Sequence, residues 1–326
     1  MNRKRFLKSA SLMTVASFAG RPFLSSDKKS SGKLLPIIDT HQHLCDFERF
    51  KVGWCTPPLP RNFNMEDYLE AVDGLNVIKS VYVEVGVAPE NRRAEALYAI
   101  ELCKDSSNPM VGAVIGADIG SADFEEYMSE FKNSPYIKGI RSGFRSSDEL
   151  LNDQVVKNMR ILGSMNFSFE FSLSPKWLPQ MAELTGLCPN TLFIVEHCGR
   201  GDPQAFYKPW QKFLSNPELD QQIWLAGMEA ISSKKNTACK ISNVVTQVLD
   251  KAKDLTAKNL APVINECFNF FGPDRVMFAG DWPWVLKKVE LANWVNILKE
   301  VIIKRSDEDQ KKLFFDNALT YYRIKE

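Results

Sequence analysis

Residues 35–43 read Leu35-Pro36-Ile37-Ile38-Asp39-Thr40-His41-Gln42-His43, an apolar run that turns polar at its end. The run 35–40 has the composition of a short buried strand, and the polar residues fall at its carboxyl end. Residues i and i+2 of a strand point the same way, so Asp39, His41 and His43 are expected on one face, with both imidazoles aimed at a common point. Two converging imidazoles suit a divalent metal or a substrate oxygen. Working outward, seven more short apolar runs follow at 79–85, 111–117, 136–141, 167–172, 192–197, 237–242 and 275–281. Helical patterns lie between them near 64–74, 89–104, 121–132, 147–162, 176–186, 205–216, 243–270 and 285–303. Eight strands, each followed by helix, predict a closed α/β barrel whose functional groups sit at the carboxyl ends of the strands.

The composition is that of a soluble globular protein: 326 residues, 41 Lys+Arg against 40 Asp+Glu, 44% hydrophobic and 25% charged. No Pro/Gly/Ser-rich linker divides the chain after residue 33, so residues 33–326 are expected to form one catalytic domain. The balanced charge and the lack of a basic patch argue against a nucleic-acid partner. No G-x-G-x-x-G or G-x-x-x-x-G-K-[ST] follows a strand, which argues against a nucleotide, and no other organic cofactor is expected. Seven scattered cysteines without a C-x-x-C pair outline neither a zinc knuckle nor a disulfide framework. Residues 1–26 have a basic start, a small-and-apolar stretch and Ser-Phe-Ala before Gly20, which reads as a cleavable export signal to a bacterial periplasm. Arg3-Lys4-Arg5-Phe6-Leu7-Lys8 resembles a twin-arginine signal with Lys4 in place of the second arginine. The apolar stretch is too short and too rich in Ser and Thr for stable membrane insertion.

Only three histidines are present. The third, His197, ends the sixth run, and Asp281 ends the eighth, in Val276-Met277-Phe278-Ala279-Gly280-Asp281-Trp282-Pro283-Trp284. Carboxyl strand ends form a ring in a barrel, so His41, His43, His197 and Asp281 are expected to meet there. Strand alternation in 167–172 sends the phenylalanines to the helix layer and Ser168, Glu170 and Ser172 inward. Arg141 and Lys240 are likewise expected inside, either on an anionic or hydroxylated substrate or neutralising Glu170 or Glu84.

These pieces, in this order over about residues 36–320, resemble the amidohydrolase-related (amidohydrolase 2) family of TIM-barrel, metal-dependent hydrolases. The blocks that carry the likeness are Ile38–Leu44, Leu59-Pro60-Arg61-Asn62-Phe63, Lys138-Gly139-Ile140-Arg141, Val195-Glu196-His197-Cys198-Gly199, Cys239-Lys240-Ile241-Ser242 and Phe271–Pro283. They are most similar to the fuconolactonase-like branch. Departures from that branch are Glu196 in place of Asp, Ala279-Gly280 in place of Gly-Ser, and Ser142 where a histidine is often found. The resemblance implies hydrolysis of a sugar-acid or related lactone, with His41 and His43 at the site, His197 activating the carbonyl and Asp281 as general base. Arg141, Trp54, Trp282 and Lys240 become the candidates for holding the small-molecule substrate. A zinc site of the related decarboxylase type would use His41, His43, Asp281 and a fifth-strand histidine; this chain has none, and Glu170 is the substitute. Lactonase relatives also work without metal, so both possibilities stand. The alternatives are a zinc-dependent decarboxylase or amide hydrolase on the same barrel, and a non-catalytic sugar-acid binding protein.

Overall fold

A computed structural model describes residues 35–52, 61–250, 252 and 255–326; the expected export signal, Trp54 and Cys55 lie outside the described residues. Eight parallel strands follow one another around the sheet in sequence order. They are β1 (Ile37–Gln42), β2 (Val77–Val83), β3 (Met110–Gly116), β4 (Ile137–Arg141), β5 (Ser168–Phe171), β6 (Leu192–Val195), β7 (Thr237–Ile241) and β8 (Val276–Phe278). Each of the eight is followed by a helix: α1 (Met65–Val72), α2 (Arg92–Lys104), α3 (Phe124–Ser129), α4 (Asp153–Ser164), α5 (Leu178–Leu187), α6 (Pro217–Ser232), α7 (Ala257–Phe271) and α8 (Leu291–Ile302), with shorter turns between. This is the (β/α)8 barrel expected from the alternation of apolar runs and amphipathic segments. Among the described residues, no helix is long and apolar enough to cross a membrane.

The barrel closes through contacts made just beyond the short β8. Thr40 Oγ1 donates to the Phe278 carbonyl at 2.6 Å. The Asp281 N–H donates to the His41 carbonyl and the His43 N–H to the Trp282 carbonyl, both at 2.8 Å. Gln42 and Trp282 thus pair as an isolated parallel bridge.

Two apolar layers hold the barrel. Inside it, Val81, Val83, Val114, Ile194, Ala238 and Met277 pack with Tyr322, which the C-terminal segment supplies. Outside it, Phe169, Phe171, Phe193, Tyr82 and Ile140 pack with Trp224, Leu260 and Trp294 of the helices. The outward phenylalanines of β5 are where period-2 alternation puts them.

Alternation fails at one informative place. The β1–β2 register shifts between Asp39 and Gln42, and Asp39 faces the helix layer, accepting from Tyr68 of α1 at 2.9 Å. The expectation that Asp39 shares a face with His41 and His43 is therefore corrected: a bulge between them turns the two histidines inward while Asp39 and Gln42 point out. The helical patterns near 205–216 and 243–270 also differ from what is found. The long helix α6 starts later, where Asn216 accepts from the Leu219 N–H and Pro217 fills the first turn. Helix α7 starts at Ala257, behind a capping box of Thr256 and Asn259.

Close strand packing demands glycine in β4. A Cβ on Gly139 would run into both the side chain and the backbone carbonyl of Ser168 on β5. Gly139→Ala should therefore cost about 1–3 kcal/mol of stability by overpacking, read as a lower urea midpoint; an unchanged midpoint would show that the strands are not packed this closely.

Candidate active site

His41, His43 and Asp281 converge at the mouth. His41 Nε2 lies 3.0 Å from His43 Nε2, and Asp281 Oδ1 lies 3.5 Å from each. His43 Nδ1 lies 2.8 Å from the Val83 carbonyl. A carbonyl only accepts, so Nδ1 carries the hydrogen and Nε2 presents a lone pair to the centre. His41 Nδ1 lies 3.3 Å from both Glu196 Oε1 and Lys240 Nζ. Glu196 offers an acceptor and Lys240 a donor, so His41 Nε2 can face the centre as a lone pair or as an N–H. Burial lowers all three imidazole pKa values, that of His43 to about 4, so the rings are neutral at neutral pH.

This triangle suits a divalent cation. Ligand atoms held tetrahedrally at about 2.1 Å from zinc stand roughly 3.4 Å apart, close to the separations found. The surrounding charge agrees: Arg141 and Lys240 face four carboxylates, Glu84, Glu170, Glu196 and Asp281, a formal excess of two negative charges. A second close group, His41, Glu196 and His197, adjoins the first.

Glu196 holds the network together. Both of its oxygens are fully buried without a hydrogen bond, yet Arg141 Nη1 stands 3.6 Å away and Lys240 Nζ 3.8 Å. Burial pushes its carboxyl up, but Arg141 and Lys240 more than offset this and leave it ionised, with a pKa of about 2. Deeper in the barrel, Lys240 pairs with Glu170, which also accepts from Tyr322 OH at 2.6 Å. Burial raises Glu170 to about 7 despite Lys240.

The strand ends carry backbone strain that aims these groups. His197, Cys198, Gly199 and Arg200 form a left-handed turn, with φ from 52° to 57°. Asn243 after β7 and Asp281 after β8 adopt the same conformation, with φ of 56° and 54°. Non-glycine residues in this region cost energy and collect at functional sites. His197 is thereby fixed 4.8 Å, ring to ring, from His41, and its Nδ1 meets Ser242 Oγ at 2.9 Å. A cavity of about 450 Å³ opens above, lined by His43, His197, Asp281, Arg141, Arg200 and Trp284.

Four of the expected residues, His41, His43, His197 and Asp281, come together, and Arg141 joins them at the cavity wall. Three others do not. Glu170 stands outside the triangle because Lys240 lies between it and His41, so it does not complete a metal site. Lys240 is wholly buried and bound to carboxylates, so it does not line the cavity. Trp282 is buried edge-on against Phe63 and Tyr68 rather than offering a face to substrate. Sequence reasoning missed Glu196, Ser242, Arg200 and Trp284 as parts of the site; for Glu196 and Ser242 the inward parity they share with Ile194 and Lys240 was the available signal.

The family model described as Amidohydrolase matches residues 38–324, and the chain belongs to that family. It is similar to the L-fucono-1,5-lactonase of Burkholderia multivorans, 21% identical over 255 residues, covering 76% of this chain and 81% of the relative. It is also similar to the L-rhamnono-gamma-lactonase of Scheffersomyces stipitis, 23% identical over 230 residues, covering 63% of this chain and 66% of the relative. A B. multivorans amidohydrolase solved with bound zinc shares the fold, with a TM-score of 0.76 and 17% identity over 89% of this chain and all of that one.

The buried ion network makes a stability prediction. Lys240→Met leaves Glu170 and Glu196 short of a counter-charge and should cost about 3–5 kcal/mol, with part recovered in Lys240→Met/Glu170→Gln. Equal urea midpoints for wild type and Lys240→Met would contradict the pairing.

Proposed function

We propose that the chain hydrolyses the lactone of a sugar acid, or a closely related ester, at the His41–His43–Asp281 centre. The observation that carries this is Asp281 itself: Oδ1 faces both imidazoles, while Oδ2 is buried without a hydrogen-bond partner beside the cavity. A buried carboxylate oxygen in that state is placed to take a proton. The likeness to two sugar lactonases supports the substrate class.

Asp281, as general base, removes a proton from water as the water oxygen bonds to the ester carbonyl carbon. The imidazole of His197, with the Nε2–H that His41 presents when its Nδ1 accepts from Lys240, supports the negative charge that grows on the carbonyl oxygen. The ring C–O bond then breaks, and the proton on Asp281 passes to the leaving alkoxide. Ionisation of the new carboxylic acid releases one proton per turnover. Arg141, anchored by Glu84, faces the cavity where it can bind a substrate oxygen. Where a divalent metal is bound, His41, His43 and Asp281 would hold it, and it would supply Lewis-acid polarisation of the carbonyl.

A screen of aldonolactones with a pH indicator should find proton release. Asp281→Asn should lower kcat by several orders of magnitude while leaving the unfolding midpoint near that of wild type; near-normal rates would remove Asp281 from the chemistry. Burial lifts the Asp281 carboxyl to about 6, so kcat/KM should fall as pH drops through about 6 and the base becomes protonated; a flat profile down to pH 4 would contradict its role. Metal analysis separates the catalytic variants: one equivalent of tightly held zinc, with activity lost on chelation and regained on readdition, marks the metal-assisted form. Full activity after chelation marks the metal-free one.

We also propose that residues 1–26 direct export. The chain recovered from the periplasm should then begin at Gly20, whereas an uncut chain confined to the cytoplasm would contradict this.

A further inference from the structure

The cavity above Asp281 does not end at Arg141. A side chamber of about 540 Å³ adjoins it, and Gly86 and Arg141 line both spaces. Arg141 is a fixed threshold between them, since its Nε bonds the Glu84 carboxylate and its Nη2 the Glu84 backbone carbonyl at 2.7 Å. The central cavity alone lies within the range of about 300–1,000 Å³ that holds a drug-sized ligand, ample for one sugar lactone. The chamber roughly doubles that room.

Its lining says what it would take. Arg92, Arg141 and Arg145 face it together with Glu84, Asp118 and Glu149, so the formal charges cancel. A net-neutral wall gives an anionic group no advantage over a neutral one, and the mixture of these charges with Ile119, Phe144 and Val155 suits a group that has both polar and apolar faces. Arg92 and Arg145 have no ion-pair partner among the described residues, so their N–H groups are open to a ligand. Asp118 and Glu149 accept backbone N–H groups of the wall, from Gly120 and Arg145 respectively, which fixes their carboxylates in place. Fixed acceptors beside open donors suit hydroxyl groups, each of which donates and accepts at once.

We propose that the substrate is a lactone carrying a further neutral sugar ring, that is, the lactone of a disaccharide or longer sugar acid. The lactone ring sits over the His41–His43–Asp281 centre and the second ring occupies the chamber between the β3 and β4 loops. This builds on the lactonase function proposed above and specifies its substrate class.

The test compares glucono- and galactono-lactone with the lactones of cellobionic, maltobionic and lactobionic acids, on wild type, Gly143→Trp and Arg145→Ala. Gly143 lines the chamber, and a Cβ there meets nothing within 4 Å, so Gly143→Trp adds bulk to the chamber without a clash at its own backbone. Arg145 is exposed, so its removal leaves the fold intact. Wild type should favour at least one disaccharide lactone tenfold or more in kcat/KM. Gly143→Trp should abolish that preference, Arg145→Ala should raise KM several-fold for the disaccharide lactone alone, and both should leave the monosaccharide rates unchanged. Calorimetric binding of the three disaccharide acids gives a readout independent of turnover. Turnover of lactones without a size preference, unaffected by Gly143→Trp, would overturn the chamber while leaving the hydrolase in place. Disaccharide-acid binding that Gly143→Trp removes, without turnover of any lactone, would uphold the chamber and overturn the lactonase. Neither binding nor turnover would overturn both.

Discussion

The closure of β8 onto β1 is the constraint on which the whole mouth of the barrel depends. Strand β8 pairs with β7 over only three residues, and the chain then crosses to β1 through backbone bonds from Asp281 to His41 and from His43 to Trp282. The Asp39 carboxylate fastens the crossing by accepting the Gly280 N–H at 2.7 Å. That approach is so close that a Cβ on Gly280 would collide with Asp39, which is a physical reason for glycine immediately before Asp281. The same bonds that close the barrel set Asp281 between two imidazoles. Barrel closure and the candidate site therefore share one set of contacts.

Electrostatics explains why so many charges are tolerated inside. An isolated buried carboxylate is costly, and pairing is what makes it bearable. The side chains run as a column from Tyr322 through Glu170, Lys240, Glu196 and Arg141 to Glu84, alternating in sign once the charged part begins. Its upper part surrounds His41 and sets what that imidazole presents to the centre. Tyr322 shows that the C-terminal segment reaches this column from within the inner apolar layer, although it does not line the cavity. The left-handed residues at the ends of β6, β7 and β8 complete the arrangement, because a regular strand end would not turn His197 and Asp281 toward His41.

Much of this was legible in the chain. The eight apolar runs and their spacing follow from burial on both faces of each strand, and the ring of carboxyl ends then forces His41, His43, His197 and Asp281 together. The rest depended on departures from regularity. The β1 bulge reverses the parity of Asp39, and a period-2 rule has no means of locating an inserted residue. Glu170 and Lys240 were correctly placed inside, but their partners come from β5, β6, β7 and residue 322, so a ligand or substrate role could not be told from an ion pair without the third dimension. Trp282 follows Asp281 so closely that it invites a substrate role, yet the crossing to β1 turns its ring into the packing of Phe63 and Tyr68. Glu196 stood in the sequence as a departure from a related pattern and shared the inward parity of Ile194, but its importance lies in the charges that surround it, which come from other strands.

The most direct measurement is a crystal structure of the protein with a bound aldonic acid, the product of the proposed hydrolysis. The account predicts the product carboxylate over the triangle of His41 Nε2, His43 Nε2 and Asp281 Oδ1, within reach of His197. A product bound only elsewhere, or three side chains that stand apart in the complex, would contradict it.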